Sequence, residues 1–183
     1  MRASILVGAA SLLVRAAPGA ASVITVGSSN AVTCYRAAED RKLVAESWRA
    51  CDTALHVEAL SPADRAGTLV NRGILFLLSR QFDRAIRDFD EAAAIDPRQP
   101  EAFLNRAIVA WQTGDSATAA TKAGRAIELD TRKPALAFYV RGIASEEQGR
   151  IREAYSDLQR ASELAPSWSE PRRELARYEV RRR

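Results

Sequence analysis

The stretch "LVNRGILFLLSRQFDRAIRDFDEAAAIDP", Leu69 to Pro97, decides the fold. Two apolar patterns of helical period meet at a short polar break near Ser79–Gln81, and a proline closes the segment. Gly73 and Ala85 stand where a large apolar residue would be the default for a core. A pair of helices built this way approaches another surface closely, because a side chain larger than methyl at the crossing would push the axes apart.

The same order of small and large residues returns twice. In "FLNRAIVAWQTGDSATAATKAGRAIELDT" (103–131), Ala107, Ala119 and Ala126 each lie 34 residues beyond Gly73, Ala85 and Ala92. In "FYVRGIASEEQGRIREAYSDLQRASELAP" (138–166), Gly142, Ala154 and Ala161 lie a further 35 on, with one residue inserted near Lys133–Pro134. Punctuation agrees with the period. Pro97 cannot continue a helix, and Pro100 suits the first turn of the next. In "SPADR", Ser61 is placed as N-cap, Pro62 at the first helical position and Asp64 at the third. One such hairpin cannot bury its own apolar face, so it stacks on copies of itself.

These residues resemble the tetratricopeptide repeat family, whose unit is a 34-residue helix–turn–helix. The resemblance covers about residues 66–168. The family's small leading-helix position falls on Gly73, Ala107 and Gly142. Its trailing-helix alanines fall on Ala85, Ala119 and Ala154, then on Ala92, Ala126 and Ala161. Its large trailing-helix position falls on Phe89, Ala123 and Leu158, and its closing proline on Pro97, Thr131 and Pro166. Ala123 and Thr131 make the middle copy the weakest match. The resemblance implies an all-α solenoid of antiparallel helix pairs.

Outward from the repeats, "AEDRKLVAESWRACDTALHVEAL" is helical. Within it, Ser47, Cys51 and Ala54 fall in the register of Ala85, Phe89 and Ala92. The expected organisation is a signal peptide over 1–21, an extended or disordered segment over 22–33 and a degenerate first pair over 34–60. Three repeats follow over 61–168 (66–99, 100–134, 135–168), and then a C-terminal capping helix with a basic tail over 169–183. In that last stretch Trp168, Leu175, Tyr178 and Val180 would cover the final repeat, while Arg181 to Arg183 read as a solvated end.

The first residues read as an export signal. Arg2 supplies a positive start, Ile5 to Val14 an apolar run, and "AAPGAAS" places Gly19 and Ala21 at −3 and −1 of a cut. Arg15 and Pro18 end the run short of the roughly 20 apolar residues of a membrane span. The expected protein is therefore periplasmic or secreted, with no stable span after cleavage. In an oxidising compartment Cys34 and Cys51 pair as a disulfide, worth about 3 kcal/mol in the chain-entropy view; two buried free thiols are the alternative. The composition is 47% hydrophobic and 27% charged, that of a globular chain. Net charge is +4, and +2 once Arg2 and Arg15 are removed, too weak a field to call for nucleic acid.

Nothing in the chain spells out catalysis. His56 is the only histidine and reads as a surface residue. No metal site is expected, since two cysteines and one histidine match no zinc spacing. No cofactor loop or nucleophile motif occurs. Glu146 and Glu147 are adjacent and point to different helix sectors, unsuited to paired acid–base work. The expected role is a non-enzymatic adaptor, assembly factor or scaffold. It would hold an extended or amphipathic protein segment in a concave groove lined by the leading helices.

The resemblance places that groove on Val70, Asn71, Ile74 and Leu77, then Leu104, Asn105, Ile108 and Trp111, then Tyr139, Ile143 and Glu146. Some members of the family clamp a C-terminal carboxylate with Lys, Asn and Arg; here Val70, Ile74, Leu136 and Val140 occupy those places, and only Asn105 matches. No carboxylate clamp is expected, and Asn71 and Asn105 are assigned to an extended backbone or to each other's helices. Coverage of the strip by residues 22–33 or by the first pair is the rival outcome, and self-association through the groove a third. An RNA-binding repeat would need a basic groove, which these residues do not supply, and a non-catalytic subunit of an envelope enzyme complex is the remaining alternative.

Overall fold

A computed structural model describes residues 22–23 and 29–178. The expected signal peptide (1–21) and the basic end of the tail (179–183) lie outside the described residues. Among those residues nine helices follow one another: α1 (Ser29–Glu39), α2 (Ala45–Val57), α3 (Pro62–Leu78), α4 (Phe82–Ile95), α5 (Pro100–Gln112), α6 (Ser116–Glu128), α7 (Pro134–Glu147), α8 (Ile151–Leu164) and α9 (Ser169–Leu175). They stack as hairpins. The most extensive contacts join α3 to α4, α5 to α6 and α7 to α8, and α4–α5 and α6–α7 contacts bind one hairpin to the next.

Each hairpin is punctuated by its own residues. Ser61 Oγ accepts the Asp64 amide at 3.1 Å and caps α3, and Pro62, Pro100 and Pro134 open α3, α5 and α7. The turns inside the three hairpins share one device. Arg80, Gly114 and Gly149 take left-handed φ values of 60°, 81° and 74°. The next amide then reaches back five residues: Gln81 N–H to the Phe76 carbonyl, Asp115 to Ala110 and Arg150 to Ser145, at 2.8 to 2.9 Å. This satisfies the carbonyls that a helix end leaves open.

The repeating alanines are where the stacking requires them. Ala85, Ala92, Ala119, Ala126, Ala154 and Ala161 are fully buried. Gly73 faces Phe89, and Gly142 faces Leu158 and the Ala154 carbonyl. A Cβ on Gly73 would sit 2.5 Å from the Phe89 ring, and one on Gly142 would sit 3.1 Å from Leu158 Cγ. The glycine thus makes room for the large residue of its own hairpin.

Cys34 and Cys51 are bonded and tie α1 to α2, with Cα atoms 4.8 Å apart. Ser47, Cys51 and Ala54 are buried in the register expected of a trailing helix. Two expected bounds are corrected. Residues 29–33 are not extended, because Ala31, Cys34, Ala37 and Ala38 fall on one buried helical face and start α1 at Ser29. The leading helix of the first repeat starts at Pro62 behind its Ser61 cap, as those two residues indicate, so the bound placed at 66 falls inside α3. At the far end α9 stops at Leu175, and Trp168, Leu175 and Tyr178 pack against Tyr139 and Leu158 as a lid on the last hairpin.

Candidate peptide-binding face

Successive leading helices touch directly, α3 with α5 and α5 with α7, while no pair of trailing helices packs to a similar extent. The stack therefore curves with α3, α5 and α7 on its inner side. This is the face to which the groove was assigned.

Much of the assigned strip is not open. Val70, Ile74 and Leu104 are 1% exposed or less, and Leu77, Ile108 and Tyr139 are also buried. The reason lies in α3, where eleven of seventeen residues are buried. A leading helix packs against its trailing partner, against the hairpins on either side and against whatever lies on the inner face. It is thus apolar nearly all round, and periodicity alone does not single out its groove side. Val70, Ile74 and Leu104 are core residues, and their assignment as contact positions is corrected here.

Asn71 shows what lies on the inner face. It is fully buried on α3. Its Oδ1 accepts the Val23 amide at 2.8 Å, and its Nδ2 donates to the Val23 carbonyl at 2.7 Å. One carboxamide thereby satisfies both backbone groups of one residue, as a neighbouring strand would. Val23 packs its side chain against the main core. Two such bonds contribute about 1 kcal/mol each, and the half-buried valine about as much again.

The preceding residue is held from another repeat. Arg132, in the link between α6 and α7, donates from Nη2 to the Ser22 carbonyl. Glu101 in the first turn of α5, only 2% exposed, accepts the Arg132 amide at 3.1 Å and its Nε at 3.4 Å. This carboxylate fixes the direction of the guanidinium. Neither Glu101 nor Arg132 was selected from the sequence, although Arg132 adjoins the one-residue insertion between the second and third copies. Asn105, one repeat beyond Asn71, is also fully buried.

At the other end of the strip the C-terminal lid covers the assigned residues. Trp111 meets Tyr139 edge-on with ring centres 5.9 Å apart, and Tyr139 meets Trp168 at 4.8 Å. Glu146 pairs with Arg177 at 3.1 Å, and Ile143 packs in the same cluster. Burial, reinforced by Glu174 and Glu170, pushes the Tyr139 hydroxyl from its ordinary value of 10.0 up to about 12. Trp111, Ile143 and Glu146 stay partly exposed, so an open edge of the strip survives between the Ser22–Val23 contact and the lid.

Among the described residues no cluster of three or more His, Cys, Asp or Glu could hold a metal ion, and His56 is exposed. None of the described helices is long and apolar enough to cross a membrane.

Comparison with known proteins adds the following. A family profile described as "Tetratricopeptide repeat" matches residues 70–137 and 104–171. No curated protein matches. Among solved structures, the first repeat domain of Spaghetti (RPAP3) bound to the HSP90 peptide SRMEEVD is 27% identical. Its TM-score is 0.59, over 62% of this chain and 90% of that one. The second repeat domain of human RPAP3, in complex with the HSP70 peptide SGPTIEEVD, is also 27% identical, with TM-score 0.59 over 63% and 96%. MamA from Desulfovibrio magneticus RS-1, at 19% identity and TM-score 0.66 over 81% and 82%, shares the fold.

Proposed function

Because this chain belongs to the tetratricopeptide repeat family, we propose that it is a non-enzymatic interaction module, an adaptor or scaffold that takes an extended protein segment along α3, α5 and α7. One observation carries the reading: the Asn71 carboxamide grips both backbone groups of Val23. A side chain set to pair with an extended backbone binds main chain whatever its side chains. Specificity is then left to the apolar surface on either side.

Two of the solved relatives are bound to chaperone peptides ending in EEVD. This chain lacks the cations a terminal carboxylate would need, since Val70, Ile74, Leu136 and Val140 are apolar and all buried. The segment it takes is therefore internal to its partner, or is read without its terminus. An exported location is part of the proposal. Its support is the apolar N-terminal run closed by small residues, together with the pairing of the only two cysteines.

A photo-crosslinking residue in place of Trp111, at the open edge of the strip, tests the reading in the native cell fraction. The expected product joins this position to one contiguous segment of a second protein, and Asn71→Leu in the same chain weakens it. Crosslinks confined to the chain itself would contradict the proposal.

A further inference from the structure

The inner face already holds an extended segment, and that segment is the chain's own. Ser22 is 4% exposed and Val23 half-buried. The anchors come from separate parts of the stack, Asn71 from α3 and Arg132 from the α6–α7 link, so the two residues bridge different repeats. Main-chain atoms make every one of these hydrogen bonds. The site would receive another strand's backbone in the same way.

One feature makes this occupant a poor one. Ser22 Oγ is buried and has no hydrogen-bond partner among the described residues. A hydroxyl taken out of water without a partner weakens binding, and a methyl in its place would not. The subsite thus accepts a small side chain but offers nothing to a polar one. The next position takes a β-branched apolar side chain onto the core.

We propose that Ser22–Val23 is a tethered placeholder on the Asn71–Arg132 site, displaced by a partner segment that presents Ala followed by Val or Ile. This rests on the inner face being the binding face. Only Ile24 to Ser28 separate the placeholder from α1. Such a short tether gives an effective concentration in the millimolar range. A free segment of ordinary affinity is then excluded, and only a better-fitting one enters.

The test uses the exported chain, beginning at Ser22, and two octapeptides fluorescently labelled at their C-termini, SVITVGSS (the chain's own Ser22–Ser29) and its serine-to-alanine form AVITVGSS. Amide exchange at Val23, followed by NMR on valine-labelled protein, reports the placeholder directly. The expected rate is about a hundredfold slower than in the free peptide, returning to near the peptide rate in Asn71→Leu. Fluorescence anisotropy reports displacement. Val23→Asp, which alters a residue outside every helix, is expected to bind the own-sequence probe at least about tenfold more tightly than wild type. The alanine probe is expected to bind several-fold more tightly than the serine probe. Adding Asn71→Leu to Val23→Asp is expected to abolish both, with thermal unfolding confirming an intact stack.

A Val23 amide that exchanges freely in wild type overturns the placeholder but leaves the binding face standing if the position-111 crosslink reaches a second protein. A protected amide with no probe bound by Val23→Asp makes Ser22–Val23 a fixed part of the fold and overturns displacement, and a position-111 crosslink confined to the chain itself overturns the binding face as well. Equal affinity of wild type and Val23→Asp overturns displacement, and equal affinity of the two probes overturns the preference for alanine.

Discussion

The middle hairpin solves the packing problem that its two neighbours share with different residues. In the first and third hairpins a glycine on the leading helix faces a large residue on the trailing one, Gly73 against Phe89 and Gly142 against Leu158. In the middle hairpin the same two places hold Ala107 and Ala123, both fully buried. A methyl has been added on the leading helix where the large side chain of the trailing one is missing. The charges differ as well. Arg72 pairs bidentately with Asp88, both bonds at 2.8 Å, and Arg141 pairs with Asp157, both at 2.7 Å. The place of that aspartate in the middle copy is Lys122, which lies over the Phe103 ring, and Arg106 turns back to Asp90 of the preceding hairpin at 3.5 Å. Each outer hairpin is locked internally, Arg72 reaching Asp52 of α2 at 2.8 Å as well, whereas the matching arginine of the middle hairpin, Arg106, pairs with its neighbour. What recurs is that a large side chain on the trailing helix stands opposite a glycine, and a methyl opposite a methyl.

The largest effect expected is one the three hairpins share. Ala85→Arg and Ala119→Arg each drive a guanidinium into a fully buried contact, and a loss of about 4 kcal/mol or outright failure to fold is expected in urea titrations. Tolerance of arginine at Ala119 alone would show the middle hairpin to be loosely packed and break the equivalence.

Next in size is the charge contrast. Asp88 is buried. Burial opposes the Arg72 charge, but the bonds and charge of Asp88 outweigh it and hold Arg72 above its ordinary pKa. Arg72→Met strands that carboxylate and is expected to lose about 3–5 kcal/mol, most of it recovered by Asp88→Leu. Arg106→Met is expected to lose under about 1 kcal/mol, because the Asp90 side chain is 52% exposed and solvent screens the pair. Equal losses would erase the distinction between internal and neighbour-tied hairpins.

A smaller effect separates the turns. Arg80 holds the left-handed position that Gly114 and Gly149 hold in the other two hairpins. Arg80→Gly is expected to raise stability by about 1 kcal/mol, less the contact of its guanidinium over Phe82. A destabilised variant would mean that the arginine contact, not backbone strain, decides that turn.

The recurring small residues, the helix starts at Pro62 and Pro100 and the Cys34–Cys51 pairing were legible in the sequence, because each is a local or strictly spaced signal. The middle copy also read as the weakest, and in the structure its Ala123 stands at the position of Phe89 and Leu158, with Ala107 carrying the methyl that Gly73 and Gly142 lack. The inner face was not legible to the same depth. Asn71 could be assigned to an extended backbone, but its partner Val23 lies 48 residues away with no periodicity to announce it. Val70, Ile74 and Leu104 looked like groove because a helix buried on several sides carries no mark of which side is which. The start of α1 was missed because small residues, Ala31 and Ala37 among them, form its buried face.

The account turns on a large trailing side chain requiring a glycine opposite it, and Gly73→Ala tests this in two backgrounds. With Phe89 present the added methyl meets a buried ring at 2.5 Å, and a loss of about 1–3 kcal/mol is expected despite the better helix propensity of alanine. With Phe89→Ala the pair becomes that of the middle hairpin, and the same change is expected to stabilise by about 1 kcal/mol relative to Phe89→Ala alone. The same sign in both backgrounds, measured by chemical denaturation, would contradict the account.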